Sequence, residues 1–307
     1  MTDLSAVTDP LLWVVVAAFL VASAAEWRDR ALGRRAMVGA WVLFAAFWLL
    51  MIPFFAFEHR SVIQTVLVAV GVPACLGVAY TLWRGRLSLL VLSRAVTVAL
   101  VIYIPFETIG VLHDGLIEIV AVQTEWGLAL LGTEYEFVED DRGLQSLFVF
   151  PGTETAGGGS YSTRIVFACT GIGSMAIFGG LTAAVRAPLR RRLAALGVAL
   201  AAIWVMNIVR NVFIAYSSGE QLFAQEALVG PVMAVFGLSD PVRVSFFVAD
   251  RILSQGLAVL ALLGLFWVVL KLLPELAVIV EDLLYLFTGT EYDLLASPTP
   301  ASRPSGD

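Results

Sequence analysis

Histidine, cysteine and lysine are nearly missing from this chain. Its 307 residues include 2 histidines, 2 cysteines and a single lysine, Lys271. Two isolated cysteines, Cys75 and Cys169, form neither a disulfide framework nor a zinc spacing, and two histidines exclude a multi-histidine metal site. No metal, cofactor or nucleic-acid partner is expected. Charge is scarce too: 14% of residues are charged, against about 25% in soluble domains. The start lacks the basic segment of a secretory signal and carries Asp3 and Asp9 instead; Arg28, Arg30, Arg34 and Arg35 then follow the first apolar run, so an uncleaved first helix is expected. Gly157-Gly158-Gly159-Ser160 has no following lysine, which removes a phosphate-binding loop and leaves a flexible approach to what comes next.

What the chain has is apolar length. Hydrophobic residues make up 59% of it, mean hydropathy is +0.88, and runs near 20 residues recur, the length that crosses a bilayer. The fold class is all-α, a polytopic transmembrane helical bundle. Seven spans are expected, over about 10–25, 37–57, 62–83, 87–107, 165–185, 193–216 and 250–273. Basic residues test that arrangement: thirteen fall on one side, from Arg28 to Lys271 and Arg303, four on the other (Arg60, Arg142, Arg164 and Arg243), and Arg210 and Arg251 lie within helices. The positive-inside rule then puts the N-terminus outside and the C-terminus in the cytoplasm. Residues 108–131 carry Asp114, Glu118 and Glu125 and read as an amphipathic helix on the outer surface; 221–238, broken at Gly230-Pro231, reads as interfacial or re-entrant. An eighth span would upset the charge balance. Residues 133–163 read as a solvated, disorder-leaning outer loop, part of an extracellular stretch 108–164. Leu272–Phe287 reads as a cytoplasmic interfacial helix. The whole of 1–288 is expected to be one membrane domain, with 289–307 a disordered cytoplasmic tail. Scarce lysine with acidic loops suits high salt, and suits a GC-rich genome equally.

Three residues on three spans then converge on one level. Cys169 lies about 7–8 Å inside the start of the 165–185 run, at ~1.5 Å per residue. Arg210 lies about two turns below the outer end of its helix, with Asn207 and Asn211 sharing a face beside it. A membrane arginine costs ~2.5–3.5 kcal/mol at the bilayer centre, so this polar group should face the bundle. Arg251 heads the last span, with Asp250 placed to favour the helix dipole. A thiolate is the nucleophilic form of cysteine, and nearby cations favour it. Arginine is no general base, so its roles would be thiolate stabilisation and donation to an oxyanion. His59, in the Glu58-His59-Arg60 turn, and His113 are the two residues available to move a proton to a leaving amine; each also reads as a surface residue. Cys75 reads as an inert buried thiol.

Ala168-Cys169-Thr170-Gly171 after an outer loop, Asn207-Ile208-Val209-Arg210-Asn211, and Arg251 in a late span together resemble the exosortase/archaeosortase family. The resemblance covers about 161–271. Bacterial members carry histidine at the third position; Arg251 there points to the archaeosortase branch and removes the obvious general base. The resemblance implies a membrane cysteine transpeptidase of sortase-like activity. Its substrates would be secreted proteins, the surface-layer glycoprotein among them, ending in a Pro-Gly-Phe-type motif, a membrane helix and a basic tail. Cys169 would form a thioester at the outer membrane face, and the new C-terminus would pass to a membrane lipid. Two other classes remain open from the residues alone: a transporter using Arg210 and Arg251 for an anion, though neither midplane sites nor internal repeats are present, and an assembly scaffold with structural arginines.

Overall fold

The computed structural model describes residues 5–294. Helices α1 (Ser5–Arg28), α2 (Arg30–Pro53), α3 (Val62–Trp83), α4 (Leu89–Thr108) and α5 (Gly110–Leu131) come first. A three-stranded antiparallel sheet follows, β1 (Glu136–Glu139), β2 (Gln145–Glu154) and β3 (Ser160–Arg164), in the order β1-β2-β3. Then come α6 (Ile172–Ala184), α7 (Leu189–Gly219) and α8 (Glu226–Phe236). A long helix, α9 (Pro241–Leu272), and α10 (Ala277–Thr288) complete the fold. Among the described residues, six helices are long and apolar enough to cross a membrane: Pro10–Arg28, Arg30–Glu58, Val62–Trp83, Leu89–Thr108, Leu189–Gly219 and Pro241–Leu272. The helical membrane bundle expected from composition is therefore present.

The basic residues gather at one end of that bundle. There Arg94 pairs with Glu26, Arg86 with the buried Asp282 of α10, and Arg191 with Glu275. Arg192 donates to the carbonyls of Thr182 and Ala183, tying the start of α7 to the end of α6. At the opposite end Arg60 donates to the carbonyls of Phe236 and Gly237, closing the end of α8, and Thr153 of the sheet donates to Gly219 at the end of α7. Arg86, Arg94, Arg191 and Arg192 thus lie at one end and Arg60 at the other.

Four expectations are corrected. The run 165–185 is not one helix: Phe167–Cys169 is a single 3-10 turn, and α6 begins only at Ile172, with 13 residues. At ~1.5 Å per residue that is about 20 Å, short of a hydrocarbon core of about 30 Å. Gly171 breaks the run; its φ of +77° lies in the left-handed region, and a Cβ there would stand 3.1 Å from Asn207. The last span does not start at 250. It begins at Pro241, because the apolar Val244–Ala249 stretch continues the helix inward and the charges at 250–251 are neutralised inside the protein.

Third, 133–163 is not a disordered loop. Phe148, Phe150 and Tyr161 turn inward to pack on Ile117, Val120 and Ala121 of α5 and Ala215 of α7. The acidic turn is ordered by Asp140. Its Oδ1 accepts the N–H groups of Arg142 and Leu144, and its Oδ2 accepts Ser146 Oγ and the Arg142 guanidinium. Burial pushes this carboxyl up, but the two backbone donors and Arg142 outweigh it and bring it down to about 2. The helical reading of 108–131 agrees with α5. The expected break at Gly230-Pro231 is absent: α8 runs unbroken from Glu226 to Phe236, with Pro231 inside it. The tail expected over 289–307 falls partly outside the described residues; within its described part, 289–294, Glu291 pairs with Arg86.

Short α6 is held by close packing on α4. A Cβ on Gly180 would stand 2.1 Å from the Ala95 carbonyl oxygen, the small-residue contact typical of membrane helices. Gly180→Ala is expected to force the two helices apart at a cost of about 1–3 kcal/mol, seen as a lower thermal midpoint in detergent. An unchanged midpoint would contradict that packing.

Candidate functional site

The site lies where α7, α9 and the turn before α6 meet. Cys169 is half-buried in that turn. Its carbonyl accepts two side-chain N–H bonds, from Asn207 Nδ2 at 2.7 Å and Asn211 Nδ2 at 2.8 Å. The two asparagines are four apart on α7, so one face of the helix presents both. Thr170, fully buried, donates to the Phe167 carbonyl, and the Cys169 N–H donates to Val166. The turn is thus fixed on both sides of the thiol. The positive end of the α6 dipole begins three residues later.

Arg210 shares the α7 face with the asparagines and reaches across to α9. Its Nη2 donates to Asp250 Oδ1 at 2.5 Å, and Asp250 Oδ2 lies 3.4 Å from Arg251 Nη1. One buried carboxylate therefore holds both guanidiniums, each on a different helix. The Cys169 thiol is within electrostatic reach of all three charges. The π-helical stretch Val248–Ser254 makes this possible: its wider turn sits where Asp250 and Arg251 must both face inward. Arg251 Nε is buried without a hydrogen-bond partner. An unfilled donor of this kind is costly unless something else uses it.

His59 also enters the site. A second π turn, Phe54–Glu58, ends α2, and the His59 ring lies parallel to Phe54 with 5.8 Å between centroids. Its Nε2 takes an N–H from Arg251 Nη1. Burial, then the Arg251 charge, push this imidazole down to about 4, so it is neutral near pH 7 and free to accept. Ser61, two residues on, donates to Gln255 of α9 and pins the same turn. His113 touches the cysteine turn rather than the arginines: it pairs with Asp114 and stacks on Phe167, with centroids 4.6 Å apart. Cys75 is buried in the α1–α4 core and away from these groups.

The sequence named Cys169, Arg210 and Arg251, and the structure gathers the two arginines on one acid beside the cysteine turn. Sequence reasoning missed Asp250, taken there for a dipole acid at a helix start. The available signal was an Asp-Arg pair inside an apolar run. It also missed the target of Asn207 and Asn211, which is a backbone carbonyl outside their helix.

An apolar groove of about 350 Å³ leads from Arg210 and Ser254 down between α7 and α9 toward Ile203 and Leu262. Among the described residues no group of three or more metal-ligating side chains occurs. The arrangement defines a class: a polytopic membrane protein with a fixed cysteine beside two joined guanidiniums. The chain matches the transmembrane exosortase family (Exosortase_EpsH) over residues 7–240, and it belongs to that family. It is 53% identical over 293 residues to archaeosortase A of Natronomonas pharaonis, covering 94% of this chain and 91% of that protein. It is 44% identical over 297 residues to archaeosortase A of Haloferax volcanii, covering 94% and 96%. No solved structure matches it.

Removing one partner of a buried charge group costs about 3–5 kcal/mol, because it strands the other charge. Asp250→Asn is therefore expected to lower the thermal midpoint in detergent well below that of Cys169→Ala. Equal midpoints for the two variants would show that Asp250 does not hold the arginines.

Proposed function

We propose that the chain is a membrane cysteine transpeptidase of the archaeosortase type, with Cys169 as nucleophile and Arg210 and Arg251 as stabilisers of negative charge. The observation that carries this is the charge count of the site. Two guanidiniums share one carboxylate, and His59 is neutral, so one positive charge is left over. A buried site tends to neutrality. One thiolate, or the single oxyanion that follows from it, completes the balance. An anion carrier would use the same charge, but it gives no purpose to a cysteine turn clamped by two asparagines.

In this reading the thiolate attacks the backbone carbonyl of a Pro-Gly-Phe-type motif near the C-terminus of a secreted or surface-layer protein. Charge moves to the carbonyl oxygen, and the arginine N–H groups, including the unfilled Nε of Arg251, receive it. The C–N bond breaks, the amine leaves with a proton, and the acyl group stays on sulfur as a thioester. The amine of a membrane lipid then attacks that thioester, forms the new amide and returns the thiol. Of the two histidines, His59 touches Arg251 and is the better placed to carry the proton; His113 touches neither arginine. The reaction faces the outside of the cell, the C-terminus lies in the cytoplasm, and residues 1–288 act as one domain. Support comes from the charge asymmetry of the two bundle ends and from the names of the relatives. The asparagine clamp fixes the reacting group before substrate arrives, which lowers the barrier through preorganisation.

Processing and lipid attachment of a surface protein in cells test this. Cys169→Ala is expected to abolish both. Arg210→Ala should lower processing by about a hundredfold or more, and Arg210→Lys should recover only part, because the planar fork is lost. Normal processing in Cys169→Ala would overturn the reading.

A further inference from the structure

The sheet has two outer edges, and they differ in a telling way. The β1 edge carries Glu136 and Glu139 and breaks register between Val138 and Glu139. Charge and a bulge are how proteins protect an edge from pairing with another strand. The β3 edge, Ser160-Tyr161-Ser162-Thr163-Arg164, has small hydroxyl side chains at 160 and 162 and no proline.

The register says which groups that edge offers. Ile165 N–H bonds to the Ser146 carbonyl, and the same pairing continues through Thr163↔Phe148 and Tyr161↔Phe150. In an antiparallel ladder, alternate residues bond to the neighbour. Tyr161, Thr163 and Ile165 therefore point their backbone groups at β2, while those of Ser162 and Arg164 point outward. Ser162 and Arg164 are exposed, and among the described residues no hydrogen bond reaches their outward N–H or C=O groups. Five residues after Arg164 the chain reaches Cys169. An open edge leads straight to the thiol.

We propose that this edge docks an extended stretch of the substrate, the residues just before the bond that is cut, by adding them as a fourth strand. The proposal rests on the transpeptidase reading. A surface protein runs toward its own membrane helix, and β3 leads through the cysteine turn into the apolar α6, so the added strand is parallel. Recognition through the main chain tolerates varied side chains upstream of the motif, which suits an enzyme serving several secreted proteins.

The test uses the full chain in detergent and a synthetic peptide carrying the Pro-Gly-Phe-type motif with the residues before it. Ser162→Pro removes an outward N–H, a position where an edge strand accepts proline. It should cut the peptide about tenfold more slowly, because one main-chain bond is left unmade and its neighbours are displaced. Ser162→Ala should cut normally, and a peptide trimmed to begin at the motif should not distinguish Ser162→Pro from the parent chain. Normal cutting by Ser162→Pro, or an equal loss in Ser162→Ala, overturns the proposal. Hydrogen exchange in the Cys169→Ala protein gives an answer that does not depend on how the proline variant folds: the Ser162 and Arg164 amides should gain protection when the peptide is added, and none gained overturns the edge. Cutting by Cys169→Ala would instead overturn the transpeptidase reading and leave a different result pattern.

Discussion

The bond between Asp250 and two arginines is the constraint on which the site depends. A lone guanidinium inside a membrane bundle is costly, and two side by side would repel. One carboxylate, buried and bonded to Arg210 at 2.5 Å, makes the pair tolerable. It also fixes the spacing of α7 and α9, since each helix supplies one end of the bridge. Two guanidiniums on one carboxylate leave one positive charge over, and the proposed function rests on that charge. His59, neutral, holds the far side of Arg251 without changing that count.

The cysteine turn depends on the same helix. Asn207, Arg210 and Asn211 project from adjacent positions of α7, so the helix that receives the acid also holds the Cys169 carbonyl. Gly171 then turns the chain sharply enough for α6 to start afresh below it. A continuous 165–185 helix would spend that carbonyl within its own ladder. Breaking the helix exposes backbone polar groups at membrane depth, which is tolerated only where protein satisfies them. The two asparagines do so. Two π segments place the remaining partners, one presenting His59 and the other Asp250 and Arg251.

Much of this was legible in the sequence, for physical reasons. Apolar length and the lopsided distribution of arginines reveal the spans and the two ends, because bilayer thickness and charge placement are strong constraints. Cys169, Arg210 and Arg251 stood out because polar groups are rare in such runs. Pairing across helices was not legible. Nothing local says that Asp250 serves Arg210, 40 residues away, or that His59 reaches Arg251 across 192 residues. The sheet was missed because its acidic run (Glu134 to Asp141) masks the alternation of Ser146, Phe148 and Phe150 that follows. The break at Gly171 was missed because hydropathy reads composition, and Gly171 sits in an apolar run that continues to α6 without a change in it.

The central claim is that Cys169 carries the acyl group. Intact-mass measurement of the full chain, quenched in acid during reaction with a sorting-signal peptide, tests it directly. The account predicts a mass increase equal to the acyl part of the peptide, mapped by fragmentation to Cys169 and absent from Cys75. Turnover with no adduct, or an adduct on any other residue, would contradict it.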